Sequence, residues 1–169
     1  MARYLVVAHQ TADSPTLLRK LQELADEDPA AEFQILAPVR PLGLMLLAGG
    51  ERRTPLEIAW WRARRTKERL AAADLNVIGA RPGLRDSWLD PVELVEHELK
   101  FHGPYQAVVV STLPHHLSEW LRRDVPHRLA RRHPELRVVH VTAPDWFHLE
   151  AETAQVLRLE DHRHLRSRG

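Results

Sequence analysis

Cysteine is absent from the 169 residues. Disulfides, thiolate metal sites and cysteine nucleophiles are thereby excluded. Glycine is scarce at seven residues. The polar stretch "HQTADS" (9–14) has none, and Walker A and Gly-x-Gly-x-x-Gly patterns are missing. No long apolar run occurs. "PLGLMLLAGG" (41–50) is too short to cross a bilayer, and the run within "MARYLVVAHQTADS" is too short for a signal peptide. A cytoplasmic protein with no membrane partner is expected. Charge of one sign is lacking too: the formal net charge is +1, so no electrostatic footprint for nucleic acid exists. Lysine is nearly absent, with 3 Lys against 21 Arg.

What remains is an ordinary globular composition, 44% hydrophobic and 28% charged, in a chain long enough for one domain with a substantial core. "RYLVVA" (3–8) reads as a buried strand. Ser14 and Pro15 start a helix, with Leu17, Leu18, Leu21, Leu24 and Ala25 at helical spacing. "EFQILAPV" (32–39) is the second strand, and a long connection (40–53) follows. "TPLE" (54–57) has a capping-box pattern and opens a helix in which Ile58, Trp61, Ala63 and Leu70 face a sheet. "LNVIGA" (75–80) is the third strand, with "RPGLRDSWL" (81–89) as a loop. "DPVE" (90–93) repeats the cap logic for a helix to about His102. "QAVVVS" (106–111) is the fourth strand. Helix material runs from Ser118 to Arg132, with Asp124 as the cap of its second piece. "LRVVHVTA" (136–143) is the fifth strand. Alternation of this kind implies α/β architecture, a mostly parallel sheet with helices on both faces. Residues 1–143 are expected to form one domain and 144–169 a tail carrying a short helix.

Several stretches in this order resemble the universal stress protein family over about residues 3–143. "YLVVAHQTADSPTLLRKL" resembles its first strand and helix. "DPVELVEHELKFHGPYQAVVVS" is similar to the segment leading into its Val-rich fourth strand, and "RDVPHRLARRHPELRVVHV" to its closing helix and fifth strand. The resemblance implies a Rossmann-like, five-stranded parallel sheet of order 3-2-1-4-5 and a homodimer through strand 137–142. It also implies a ligand crevice at the ends of strands 1 and 4, where strand order reverses. His9, Gln10, Thr11 and Asp13 would line one side. Ser111, Thr112, Pro114, His115 and His116 would line the other, with Arg122 and Arg123 close by. ATP is the ligand that the family implies, but its motif is degraded here. The glycine pair that would admit phosphate is replaced by "LPHHL", and the Gly-Ser or Gly-Thr position by Arg123-Asp124. Pro114 lacks an N–H, and an Asp124 cap would occupy donors that phosphate needs. Arg81, Arg85, Arg122 and Arg123 are the residues available to rebuild an anion site. No cofactor is assigned.

Sharper chemistry is less well supported. His115 and His116 could ligate a metal with His9 or His127, but no His-x-x-x-His pair is present on one helix. Ser111 lacks a Gly-x-Ser-x-Gly elbow, and with Thr112 it is expected to satisfy backbone groups at the strand end. Asp13 and Ser14 read first as helix-capping residues. The tryptophans read as core or dimer contacts, with Trp120 able to stack on a ligand, and the arginines of "RARR" (62–65) as a solvated face. The sequence thus favours a small-ligand or nucleotide binder with a regulatory role. An interaction module without a ligand is the alternative, and a hydrolase or metal enzyme using His9, Ser111 and His115 the weaker one.

Overall fold

The computed structural model describes residues 1–8, 11–39, 54–83, 90–114 and 124–144. Strands β1 (Arg3–Val7), β2 (Glu32–Pro38), β3 (Val77–Gly83), β4 (Ala107–Thr112) and β5 (Arg137–Thr142) form one sheet of order β3-β2-β1-β4-β5. Every neighbouring pair is parallel. Helices α1 (Pro15–Glu27), α2 (Pro55–Ala72), α3 (Pro91–His102) and α4 (Val125–Arg132) connect them. This is the Rossmann-like architecture expected from the alternation. No helix among the described residues is long and apolar enough to cross a membrane.

Alternation of side chains along the strands divides the core into two layers. Tyr4, Val6, Phe33, Ile35, Ala107 and Val109 face α1 and α2, whose Leu17, Leu21, Leu24 and Leu70 cover them. Leu5, Val7, Leu36, Val108 and Val110 face α3 and α4, against Val92, Val95, Val125 and Leu129. β4 is buried along its whole length, as its unbroken Val run requires. Each such fully buried aliphatic side chain contributes about 1.5–3 kcal/mol. The two layers therefore hold the strand ends in fixed positions.

Helix starts follow the local chemistry. Ser14 accepts from the Thr16 N–H. Thr54 and Glu57 complete a reciprocal capping box. Asp90 accepts from the Val92 N–H. Asp124 departs from expectation: it sits in the left-handed region at φ 53° and its side chain makes no cap bond. It contacts His127 and Arg131 instead. The third strand also differs. It runs from Val77 to Gly83, not 75–80, so Arg81, Pro82 and Gly83 lie in the sheet, not in a loop. An edge strand tolerates a proline because its missing N–H can face away from the partner. A register shift between Phe33 and Gln34 accommodates the start of β3.

Polar ties join the helices to the sheet and to each other. Arg128 grips Asp90 at 2.6 and 3.3 Å, linking α4 to the start of α3. Arg132 holds Glu96 at 3.0 and 3.1 Å. Beneath α3 the buried Glu98 carboxylate accepts from Arg81 of β3 and from the Tyr105 hydroxyl at 2.7 Å. His102 approaches its other oxygen at 3.2 Å. Burial, followed by the neighbouring Glu98, pushes the Tyr105 hydroxyl pKa well above its usual value. That phenol stays protonated and donates.

Candidate functional site

The crossover from β1 leads to β2 on one side, and the crossover from β4 leads to β5 on the other. Their C-terminal ends lie next to each other, with Val7 opposite Val110. Strand order reverses at this point, the position at which open α/β sheets generally bind their ligands. Thr11, Asp13, Ser111, Thr112 and Pro114, five of the residues expected from the sequence, belong to this region. His9, Gln10, His115, His116, Arg122 and Arg123 lie outside the described residues, as do Arg85, Trp88 and Trp120.

Thr11 and Ser111 are each only 2% exposed, and neither hydroxyl has a hydrogen-bond partner among the described residues. The expectation that Ser111 satisfies a backbone group is therefore corrected. Strand alternation puts Ser111 on the same side as Val109, facing the α1/α2 layer. Thr11 leads into α1, so the two orphaned hydroxyls flank the β1–β4 junction on that side. A buried hydroxyl without a partner costs free energy. Two of them at a topological switch point suit a polar ligand.

Thr112 does not bond the backbone through its side chain either. Its hydroxyl lies 2.8 Å from Nε2 of His140 on β5. Desolvation lowers the His140 pKa from its usual 6.5, with His127 adding repulsion, so the imidazole is neutral at pH 7. A hydroxyl beside a neutral imidazole is the first half of a nucleophile–base pair. No orienting carboxylate touches His140 among the described residues, and Thr112 is 3% exposed. The contact reads as an inter-strand clasp.

Asp13 is neither cap nor free carboxylate. Arg65 donates from Nε to its Oδ2 at 3.1 Å. Arg69 places Nη1 3.3 Å from its Oδ1 and donates to its backbone carbonyl at 2.7 Å. Arg65 also lies over the Trp61 ring, 5.3 Å from its centroid. The half-buried Arg65 thus corrects the reading of "RARR" as a purely solvated face. Trp61 is core as expected, while Trp60 is 49% exposed. Arg69 and His140 escaped the sequence reading. The signal for the arginines was available: Arg65 and Arg69 are one helical turn apart, on a face next to buried Trp61.

Opposite, the first turn of α4 is not an anion cradle of the glycine-rich kind. Asp124 keeps its carboxylate there, 2.5 Å from His127 Nδ1 and 3.5 Å from Arg131, and Pro126 carries no N–H. Because Asp124 makes no cap bond, it does not itself use the helix donors, contrary to expectation. Arg81 is committed to Glu98. Among the described residues no group of three or more His, Asp or Glu could hold a metal ion.

Several solved structures match the chain. A universal stress protein solved in complex with cAMP matches with a TM-score of 0.51 and 19% identity, over 85% of this chain and 98% of that one. It shares the fold described above. No protein-family model and no curated protein matches the chain.

Proposed function

We propose that this protein is a small-ligand binder with a regulatory role, whose ligand occupies the crevice at the ends of β1 and β4. One observation supports the reading: the hydroxyls of Thr11, after β1, and Ser111, in β4, are buried and have no hydrogen-bond partner among the described residues. A ligand with polar edges would satisfy both. The solved universal stress protein of the same fold is in complex with cAMP, which makes a nucleotide the first ligand to try. Thr11 and Ser111 are the primary contacts. Thr112, His9, Gln10, His115, His116, Arg122 and Arg123 stand as further candidates. ATP held through a glycine-rich loop is disfavoured by Pro114 and by the acidic Asp124. The role is binding, not turnover, in a cytoplasmic protein whose domain ends near residue 143.

The test is a thermal-shift titration with cAMP, AMP, ADP and ATP, with and without magnesium. A ligand that binds only the folded state stabilises it by about 2.7 kcal/mol at a hundred times its Kd. The expected result is a saturable rise in Tm that Thr11→Val and Ser111→Ala both abolish. No shift at millimolar nucleotide would defeat the nucleotide reading.

A second reading concerns partners. β5 is a sheet edge with Val138 and Val139 only partly covered and no proline to block pairing. Pairing of two copies through residues 137–142 would extend the sheet across a homodimer. Sedimentation equilibrium would show a mass that doubles with concentration; a monomer at all concentrations would refute it.

A further inference from the structure

Asp13 is the only carboxylate paired with Arg65 and Arg69 among the described residues. Two guanidinium groups share one negative charge, so the cluster keeps one positive charge. Arg65 uses Nε and Arg69 uses Nη1 on Asp13. Each guanidinium has five N–H donors, so others remain. The side chains are 30% and 40% exposed, which leaves those donors reachable. The Arg65 guanidinium also lies over the Trp61 ring. The segment they hold also carries the unpartnered, buried Thr11 hydroxyl, two residues from Asp13. A charged guanidinium pair and an unused hydroxyl are thus tied to the same short segment, residues 11–13, ahead of α1. Asp124, the residue just before α4, carries its carboxylate against His127 and Arg131.

We propose that Arg65 and Arg69 of α2, with Thr11, recognise a phosphate group on the ligand. The proposal rests on the crevice reading above and adds its polarity. The phosphate lies toward α2, and the uncharged part of the ligand lies toward β4. Guanidinium forks suit phosphate oxygens, and partial burial strengthens the contact over an exposed one.

The experiment is calorimetric titration of the full chain with AMP, adenosine and inorganic phosphate at low and high salt. Wild type, Arg69→Gln and Arg69→Lys are compared, each checked for an unchanged unfolding transition. The expected result is AMP binding at least about tenfold tighter than adenosine, the difference shrinking as salt rises. Arg69→Gln should erase most of that ratio. Arg69→Lys should keep part of it, because the charge remains. Equal binding of AMP and adenosine, or a ratio that Arg69→Gln leaves intact, overturns the phosphate assignment while the crevice stands. Binding of none of the three probes at millimolar concentration overturns both. If Arg69→Gln does not fold, Arg65→Gln gives the same reading, since either change removes the surplus charge.

Discussion

Ser111→Ala should make the unliganded protein more stable, not less. Ser111 is 2% exposed and its hydroxyl has no partner. An unsatisfied buried hydroxyl costs about 1–3 kcal/mol, and replacing it by hydrogen removes that cost with almost no change in packing. The weaker strand preference of alanine offsets a few tenths of a kcal/mol. A net gain of about 1–2 kcal/mol is expected, or a Tm rise of about 2–8 °C for a domain of this size. Urea unfolding with a constant m-value measures it, since a change in midpoint alone then reports stability. Thr11→Val, of nearly the same shape, should behave likewise. Both variants should lose ligand affinity, so gain in stability and loss of binding go together. A destabilisation of 1 kcal/mol or more for Ser111→Ala would refute the reasoning. It would mean that the hydroxyl is already satisfied in the unliganded protein, and the crevice would lose its main support.

Three other outcomes follow from the same geometry. Glu98→Ala strands the Arg81 guanidinium and the Tyr105 hydroxyl beneath α3; allowing for the partial exposure of Arg81, a loss of about 2–4 kcal/mol is expected by denaturant unfolding, and less than 1 kcal/mol would show that the site relaxes. Thr54→Ala should cost about 1 kcal/mol, because it removes a side-chain acceptor from a complete capping box; an unchanged unfolding midpoint would show that the box does not hold the start of α2. Stability should also fall in acid in two windows. His140 has a folded pKa below 6.5, through desolvation and then His127, so its contribution is full above 6.5 and lost as pH falls through the folded value. For Asp90, burial would raise the pKa, but Arg128 and the Val92 N–H outweigh it, so its contribution is present above 3.8 and lost below. A His140→Asn variant should lose the upper window and keep the lower; melting curves from about pH 2 to 8 that superimpose on the wild type would exclude His140 as the source of the upper window.

Helix starts were legible where a proline directly follows the cap. The residue before proline is pushed into extended backbone, which is also the conformation an N-cap needs. Ser14, Thr54 and Asp90 all precede a proline and all cap, with ψ of 130°, 157° and 108°. At Asp124 the proline comes one residue later, after Val125. Nothing then forces Asp124 to be extended; it falls into the left-handed region, and its side chain turns to His127 and Arg131. The end of β3 was illegible for a related reason: "RPG" looks like a turn, but parallel pairing with β2 as far as Pro38 opposite Gly83 overrides local preference. Sheet order came from the alternation and from the family resemblance together. The site was legible only by position. Which hydroxyls stay unpartnered depends on pairs far apart in sequence, such as Thr112 with His140 or Asp13 with Arg65 and Arg69, and no local pattern announces them.

The placement of the unsatisfied groups argues for function independently of any likeness. Asp13 and Arg81 each have one buried side-chain atom without a hydrogen bond, yet each meets an oppositely charged group, and His133 lies against Glu96 and Glu135. Thr11 and Ser111 have no side-chain partner at all among the described residues. A frame that caps Ser14, Thr54 and Asp90 and pairs a buried Glu98 has local solutions for its polar groups elsewhere. Leaving two buried hydroxyls bare, one after β1 and one in β4, is a local conflict, and such conflicts in an otherwise consistent fold are expected at sites shaped for something other than stability. The nearby arginine pair sharpens this. Asp13 is paired with both guanidinium groups, so the phosphate contact proposed above would have one surplus positive charge to offer. A crevice whose charged groups are already paired in this way loses less entropy on binding. Its selectivity should come from the charge and hydroxyls of the loop between β1 and α1, not from a glycine-rich turn after β4.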